Sequence, residues 1–138
     1  MTQRNIHGVF TMTFDNRVLD SKVVGETNKE LSLEWFEELQ RLLFSSSEGD
    51  TLPWALLHDC SQWIGSSMDA WEANNTITDW MIERNCVFSA IVVPGQLQHF
   101  VVEKEIKNQE ITHFFTNREK AYQACLDKIN EVNKRQNQ

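Results

Sequence analysis

The feature that most constrains this chain is a short apolar run at residues 54–59, WALLHD, which follows Pro53. Its side chains are apolar at successive positions until His58, so a strand built from them needs cover on both faces. Such a run is typical of a central parallel strand with helices packed on the sheet. Pro53 suits the start of the strand, where its missing N–H does least harm.

A hairpin is predicted before this strand. Residues 10–14 alternate apolar and polar side chains, the period of a half-buried strand, and residues 17–24 return after a turn at Asp15 and Asn16. A helix then begins at a Ser32 cap and reaches about residue 44. Three-to-four spacing predicts that its buried face consists of Leu31, Trp35, Leu39 and Leu42 or Leu43.

Strands and helices alternate along the rest of the chain. The predicted elements are a helix beginning at Ser66 or Ser67, a strand at residues 87–93, a helix at 97–107, a strand at 111–115, and a last helix opened by the T-x-x-E capping box of residues 116–119. The order β-β-α-β-α-β-α-β-α predicts an α/β fold with a mostly parallel sheet and an N-terminal hairpin. Because the chain has 138 residues, we expect it to form one domain over residues 1–138.

Composition excludes several classes of function. The net charge of -7 disfavours nucleic acid, whose phosphates need clustered Lys and Arg, and also disfavours electrostatic docking on anionic lipid. No apolar run has the length of a membrane span, and residues 1–5 are not followed by the apolar core of a signal peptide. Three cysteines without CxxC spacing indicate reduced thiols, so we expect a cytoplasmic protein without structural zinc.

The segment after the central strand, residues 60–67, is predicted to be a loop and is the first place to look for a site. Asp59 and Ser61 stand where open α/β sheets tend to bind ligands, although both side chains could equally satisfy loop amides. Trp63 and Ile64 are bulky apolar residues in this loop. They either return to the core or form an exposed patch that contacts a ligand, a partner or a bilayer.

Ser66 and Ser67 admit two interpretations. Either hydroxyl would cap the next helix, where free N–H groups need an acceptor. The positive end of the same helix would also tolerate a phosphate, so phosphorylation of one serine is the second interpretation. The chain shows no metal spacing among its histidines, no Ser/His/Asp order, no Gly-rich phosphate loop and no paired carboxylates, which predicts that it is not an enzyme.

The order of elements, the strand WALLHD and the ending ITHFFTNREKA at residues 111–121 together resemble the SpoIIAA-like group of the STAS superfamily, the anti-sigma-factor antagonist domains. The likeness covers residues from about 9 to 129. It implies a small sheet with helices packed mainly on one face. It also implies a non-catalytic binding or regulatory domain, for which we expect a cytoplasmic location and no cofactor.

The same resemblance implies two kinds of role. One is the binding of a small apolar or lipid-like ligand or a protein partner, with peripheral membrane contact. The other is an anti-sigma-antagonist-type switch phosphorylated at the serine that opens the helix after the central strand, which corresponds to Ser66 or Ser67. The signalling pattern has Asp before that pair and Gly after it, whereas this chain has Gly65 and Met68. A homodimer could form through the exposed edge of the hairpin.

Overall fold

The computed structural model describes residues 6–137, which form a five-stranded sheet and four helices. Residues 1–5, which bear on the expected lack of a signal peptide, lie outside the described part. The elements are β1 (Val9–Asp15), β2 (Val18–Thr27), α1 (Lys29–Ser45), β3 (Trp54–Ser66), α2 (Met68–Glu83), β4 (Cys86–Val92), α3 (Gln96–Glu105), β5 (Thr112–Phe115) and α4 (Arg118–Gln136). This order confirms the predicted one.

The sheet runs β1-β2-β3-β4-β5, with β1 and β2 antiparallel and every other pair parallel. The apolar run predicted as the central strand is the beginning of β3, the middle strand. Side chains of β3 alternate between the two faces. Leu56 and His58 face α1 and α2, whereas Leu57 and Asp59 face α4.

Three helices cover one face of the sheet and α4 covers the other. The first face packs Trp35 and Leu39 of α1 with Ile77 and Met81 of α2 over the strands, and Val102 of α3 joins this side. The opposite face packs α4 through its buried stripe Ala121, Cys125 and Ile129. Because helices cover both faces of the sheet, the apolar side chains of β3 and β4 are buried on either side.

The hairpin turn holds the chain that leads into β3. Asn16 and Arg17 both have positive φ, 53° and 63°, as a two-residue hairpin loop requires. The Arg17 guanidinium donates hydrogen bonds to the carbonyl oxygens of Gly49 at 2.6 Å and Leu52 at 2.8 Å. Burial lowers the pKa of Arg17 despite the opposing charge of Glu48. This side chain therefore links the hairpin to the loop before β3.

Three local predictions were wrong. The cap of α1 is Asn28, whose side chain accepts from Leu31 N, and Ser32 is buried one turn further on. The cap of α4 is Asn117 and not Thr116. Both errors have the same cause, because Asn is as good a cap as Ser or Thr, and it stood one turn before the chosen residue in α1 and directly after it in α4.

The third error concerns residues 60–67, which were predicted to be a loop. β3 continues to Ser66, and beyond Asp59 it pairs only with β2. Two register irregularities interrupt this pairing, between Lys22 and Val24 and between Gly25 and Glu26. Such irregularities break the alternation of buried and exposed residues from which a strand is recognised.

Candidate functional site

A partly open cavity of about 110 Å³ lies between the sheet and helices α1, α2 and α3. The strands supply its floor, and the three helices supply its walls. Most of the lining side chains are apolar or aromatic: Val23, Leu31, Trp35, Leu56, Cys60, Trp63, Trp71, Ile77, Met81, Ile91, Val102 and Ile106. Its polar lining residues are Thr27, Ser32, His58, Ser66, Asn74, Asn75, Thr78, Ser89 and Thr112. This is the composition expected of a site for a small, largely apolar molecule.

Trp63 closes one side of the cavity. Its indole is buried and meets the ring of Trp71 edge-on at a centroid distance of 5.9 Å. Its Nε1 donates to Ser66 Oγ at 3.0 Å, and that hydroxyl lies 2.6 Å from Thr27 Oγ1. The ends of β2 and β3 are thereby tied to the cavity wall.

Several other polar atoms near the cavity have partners within the protein. Trp35 Nε1 donates to the buried Ser21 Oγ at 2.7 Å. Asn75 donates through its amide to Glu105 O and accepts from Lys107 N, both at 3.0 Å, which fixes the end of α3 against α2. Thr78 Oγ1 donates to Asn74 O at 2.9 Å.

His58 has a fully buried polar atom without such a partner. Its imidazole lines the cavity and meets Trp35 edge-on at 5.4 Å, but its buried Nδ1 has no hydrogen-bond partner among residues 6–137. Burial lowers the pKa of His58 from 6.5 to about 4, against the opposing effect of the Asp59 charge. The ring is therefore neutral at pH 7, with one nitrogen a donor and the other an acceptor.

Cys60 is the next cavity residue along β3. It is buried, and burial together with the nearby Asp59 charge raises the pKa of its thiol. A thiolate is needed for nucleophilic attack or metal binding, so this cysteine is a packing residue. Among residues 6–137, no three His, Cys, Asp or Glu side chains come together as metal ligands.

Asp59 and Ser61 lie away from the cavity. Asp59 Oδ1 accepts from Ser61 N at 2.9 Å, and Asp59 Oδ2 lies 3.7 Å from Arg118 Nη1 at the start of α4. Burial alone would raise the pKa of Asp59, but the Ser61 hydrogen bonds and the charges of Arg118 and Lys22 outweigh it, so the pKa lies below its usual value. Arg118 also pairs with Asp20. Both carboxylate oxygens of Asp59 therefore have partners within the protein.

The remaining predicted site residues divide between the cavity and the surface. Ile64 is 73% exposed. Ser66 is the last residue of β3 and lines the cavity. Ser67 caps α2, its Oγ accepting from Ala70 N at 3.3 Å and lying 2.6 Å from Asp69 Oδ1. Of the six predicted residues, Trp63 and Ser66 are the pair that the fold brings together at the cavity.

Sequence reasoning missed His58 as a site residue. The available signal was the period of two along β3, since Leu56, His58 and Cys60 must share a face. A polar side chain on an otherwise apolar, helix-covered face is the informative exception. The cavity itself had no such signal, because it depends on how α2 and α3 pack against the sheet.

Comparison with known proteins was informative at the level of structure alone. No protein-family model matches the chain, and no curated protein matches it. One similar solved structure is an uncharacterised protein of the DUF3478 family with a SpoIIAA-like fold from Shewanella loihica. It has 20% identity and a TM-score of 0.55, over 91% of this chain and 98% of that one.

A second similar structure is an anti-sigma factor antagonist from Mycobacterium paratuberculosis. It has 11% identity and a TM-score of 0.59, over 86% of this chain and 94% of that one. Identities this low concern the fold alone. The chain has the SpoIIAA-like α/β fold that its sequence resemblance predicted. Within residues 6–137, no helix has the length and apolar character needed to cross a bilayer.

Proposed function

We propose that this chain is a non-catalytic binding domain that takes a small apolar ligand into the cavity between the sheet and helices α1–α3. The observation that carries the proposal is the cavity itself, about 110 Å³ in volume and walled mainly by aliphatic and indole side chains. Well-packed cores leave few voids larger than a water molecule, so a space of this size is unusual for a core and supports a binding site. Apolar cavities of roughly 150 Å³ bind benzene or xenon.

Toluene is a suitable first probe, and its binding can be followed by amide shifts in ¹H–¹⁵N NMR. We expect saturable shift changes at cavity residues such as Val23 and Trp71. Val102→Phe adds volume to the cavity wall and should abolish them, whereas Val102→Ala enlarges the space and should retain them. Leu97→Phe is the matched control, because Leu97 lies on the same helix but is 69% exposed. Unchanged toluene binding in Val102→Phe, or no saturable shift in the wild type, would overturn the proposal.

The alternative role is a phosphorylatable switch at Ser66 or Ser67. Ser67 is the better candidate by position, because it stands at the N-terminus of α2 and is only half-buried. Its local charge opposes the idea, since Asp69 Oδ1 lies 2.6 Å from the hydroxyl that would carry the phosphate. Ser66 is held by Trp63 and Thr27. We therefore rank this role second.

Intact-mass spectrometry of natively purified protein tests the switch directly. A species 80 Da heavier (one phosphate) that disappears in Ser67→Ala would favour the switch over the ligand-binding role. A single unmodified mass under every growth condition would count against the switch.

Protein or membrane contact is a further expectation, and two exposed residues supply a surface for it. Ile64 and Met68 are large, exposed and separated by only three residues at the end of β3 and the start of α2. Co-sedimentation with phosphatidylcholine vesicles, compared between wild type and Ile64→Ser, tests contact with lipid. Edge strand β1 is the surface on which a homodimer would form, and light scattering reports that state.

A further inference from the structure

We infer that the ligand of this cavity is a neutral, mostly apolar molecule with one hydroxyl group, which hydrogen-bonds to the imidazole of His58. The inference rests on the ligand-binding function proposed above and narrows its ligand to one chemical class. Three observations lead to it: the charge of the lining, the pairing of its polar atoms, and the volume of the space.

The lining disfavours a charged ligand. Among residues 6–137, it contains no Asp, Glu, Lys or Arg side chain, and His58 is uncharged near pH 7. A carboxylate or ammonium group placed here would lose its hydration and find no countercharge, which is far costlier than burying a neutral polar group. A fatty acid or an amine therefore does not suit the cavity, but a neutral molecule does.

The polar atoms show where one ligand hydrogen bond is needed. Trp35, Trp63 and Asn75 already bond within the protein. His58 Nδ1 is the buried side-chain nitrogen or oxygen that lacks a partner among residues 6–137. Buried polar atoms in folded proteins are nearly always paired, so a ligand that supplies the missing bond gains more than a purely apolar one.

A hydroxyl group can form a hydrogen bond with His58 in either tautomer. Neutral imidazole has one donor and one acceptor nitrogen, and a hydroxyl can both donate and accept. Nδ1 has almost no accessible surface in the present ring orientation. Ligand binding therefore includes a rotation of the imidazole about its Cβ–Cγ bond, which exchanges Nδ1 with Cδ2.

The cavity volume limits the size of the ligand. At about 110 Å³, the space is somewhat smaller than the roughly 150 Å³ apolar cavity that accommodates benzene. A single ring or a short chain fits, whereas a long acyl chain does not fit without displacement of α3. Phenol has the required size and chemistry and serves as the probe, and toluene is its partner that lacks the hydroxyl.

The test measures the dissociation constants of phenol, toluene and benzoate by NMR titration in wild type, His58→Leu and His58→Gln at pH 7.5. Replacing His58 by Leu should leave toluene binding in place and reduce the preference for phenol over toluene by about five- to tenfold. His58→Gln keeps a donor and an acceptor and should restore part of that preference. Benzoate should not bind, and phenol should shift the His58 ring nitrogen resonances.

The outcomes separate this inference from the function on which it rests. If toluene fails to bind wild type and both variants, the proposed ligand-binding function fails. If toluene binds but the phenol-to-toluene ratio is the same in wild type and His58→Leu, the hydroxyl inference alone is overturned. Tight benzoate binding would also overturn it, because the ligand need not then be neutral. Retained toluene binding shows that each variant has kept the folded cavity.

Discussion

The indole Nε1 of Trp63 donates a hydrogen bond to Ser66 Oγ at 3.0 Å. The same hydroxyl lies 2.6 Å from Thr27 Oγ1, so one oxygen joins the ends of two strands to the wall of the cavity. Ser66 and Ser67 therefore have different structural roles. Ser66 completes a polar cluster beside the cavity, and Ser67 caps α2.

Ser66→Ala should lower the free energy of unfolding by about 1–3 kcal/mol, because it leaves Trp63 Nε1 buried without an acceptor. Ser67→Ala should cost about 1 kcal/mol through loss of the α2 cap. Urea unfolding measures both. Thr116→Ala is the control, because Thr116 is exposed, and should change stability by less than about 0.5 kcal/mol. A Ser66→Ala protein as stable as this control would contradict the role assigned to the hydroxyl.

The depressed pKa of His58 predicts an acid-dependent loss of stability. The unfolded imidazole takes up a proton near pH 6.5, whereas the folded one resists it until about pH 4. Between these values the unfolded state binds more protons, so stability falls as pH is lowered from 6.5 to 4. The shift corresponds to about 3 kcal/mol in all.

Comparison with His58→Leu isolates this contribution from that of the other titrating groups. The variant should be more stable than wild type at pH 7.5 by about 1 kcal/mol or more, because a buried unpaired nitrogen is removed. The difference should widen as pH falls towards 4. Parallel pH profiles for the two proteins would show that His58 is not buried and neutral.

The elements of the fold were largely predictable because they depend on local pattern. The apolar run at residues 54–59 and the alternation at residues 10–14 specify strands whatever surrounds them, and the spacing of Leu31, Trp35 and Leu39 specifies a buried helix face. The order of elements, with the resemblance carried by residues 54–59 and 111–121, then predicted the SpoIIAA-like fold, which the structure confirms. The caps were misplaced because Asn28, one turn before Ser32, and Asn117, directly after Thr116, cap a helix as well as those hydroxyl residues would.

The candidate site was less predictable because it depends on packing between distant segments. Trp63 follows a register irregularity, so the sequence did not indicate which face it occupies, and the structure places it in the cavity wall. Ile64, the next residue, is exposed. His58 and Asp59 are successive residues of one strand and so lie on opposite faces. The importance of His58 depends on the empty space beside it, which no local pattern encodes.

All three cysteines should be unreactive in the folded protein. Cys60, Cys86 and Cys125 are buried, and burial raises the pKa of Cys86 and of Cys125 to about 12 and also raises that of Cys60. Few thiolates then exist at pH 8. Titration with Ellman's reagent should find no fast-reacting thiol in native protein and three in urea. Rapid labelling of native protein, lost in Cys60→Ser, would mean that the cavity opens widely to solvent.

Asp59 should act as a structural carboxylate and not as a ligand group. Its Oδ1 accepts from Ser61 N and its Oδ2 lies near Arg118, on the face of the sheet opposite the cavity. Asp59→Asn keeps an oxygen acceptor and should cost about 1 kcal/mol, whereas Asp59→Ala leaves the Ser61 amide unpaired and should cost about 1 kcal/mol more.

The same two variants test the alternative interpretation of Asp59. Because the side chain faces α4, neither substitution should change the dissociation constant of toluene by more than about twofold, even where unfolding is affected. The lowered pKa of Asp59 adds a second readout. A carboxyl group with a depressed folded pKa stabilises the protein above its unfolded pKa of about 4, and this contribution is lost as pH falls below that value. The stability difference between wild type and Asp59→Asn should therefore shrink on acidification below pH 4. A large loss of toluene binding in Asp59→Asn would instead indicate that Asp59 belongs to the ligand site.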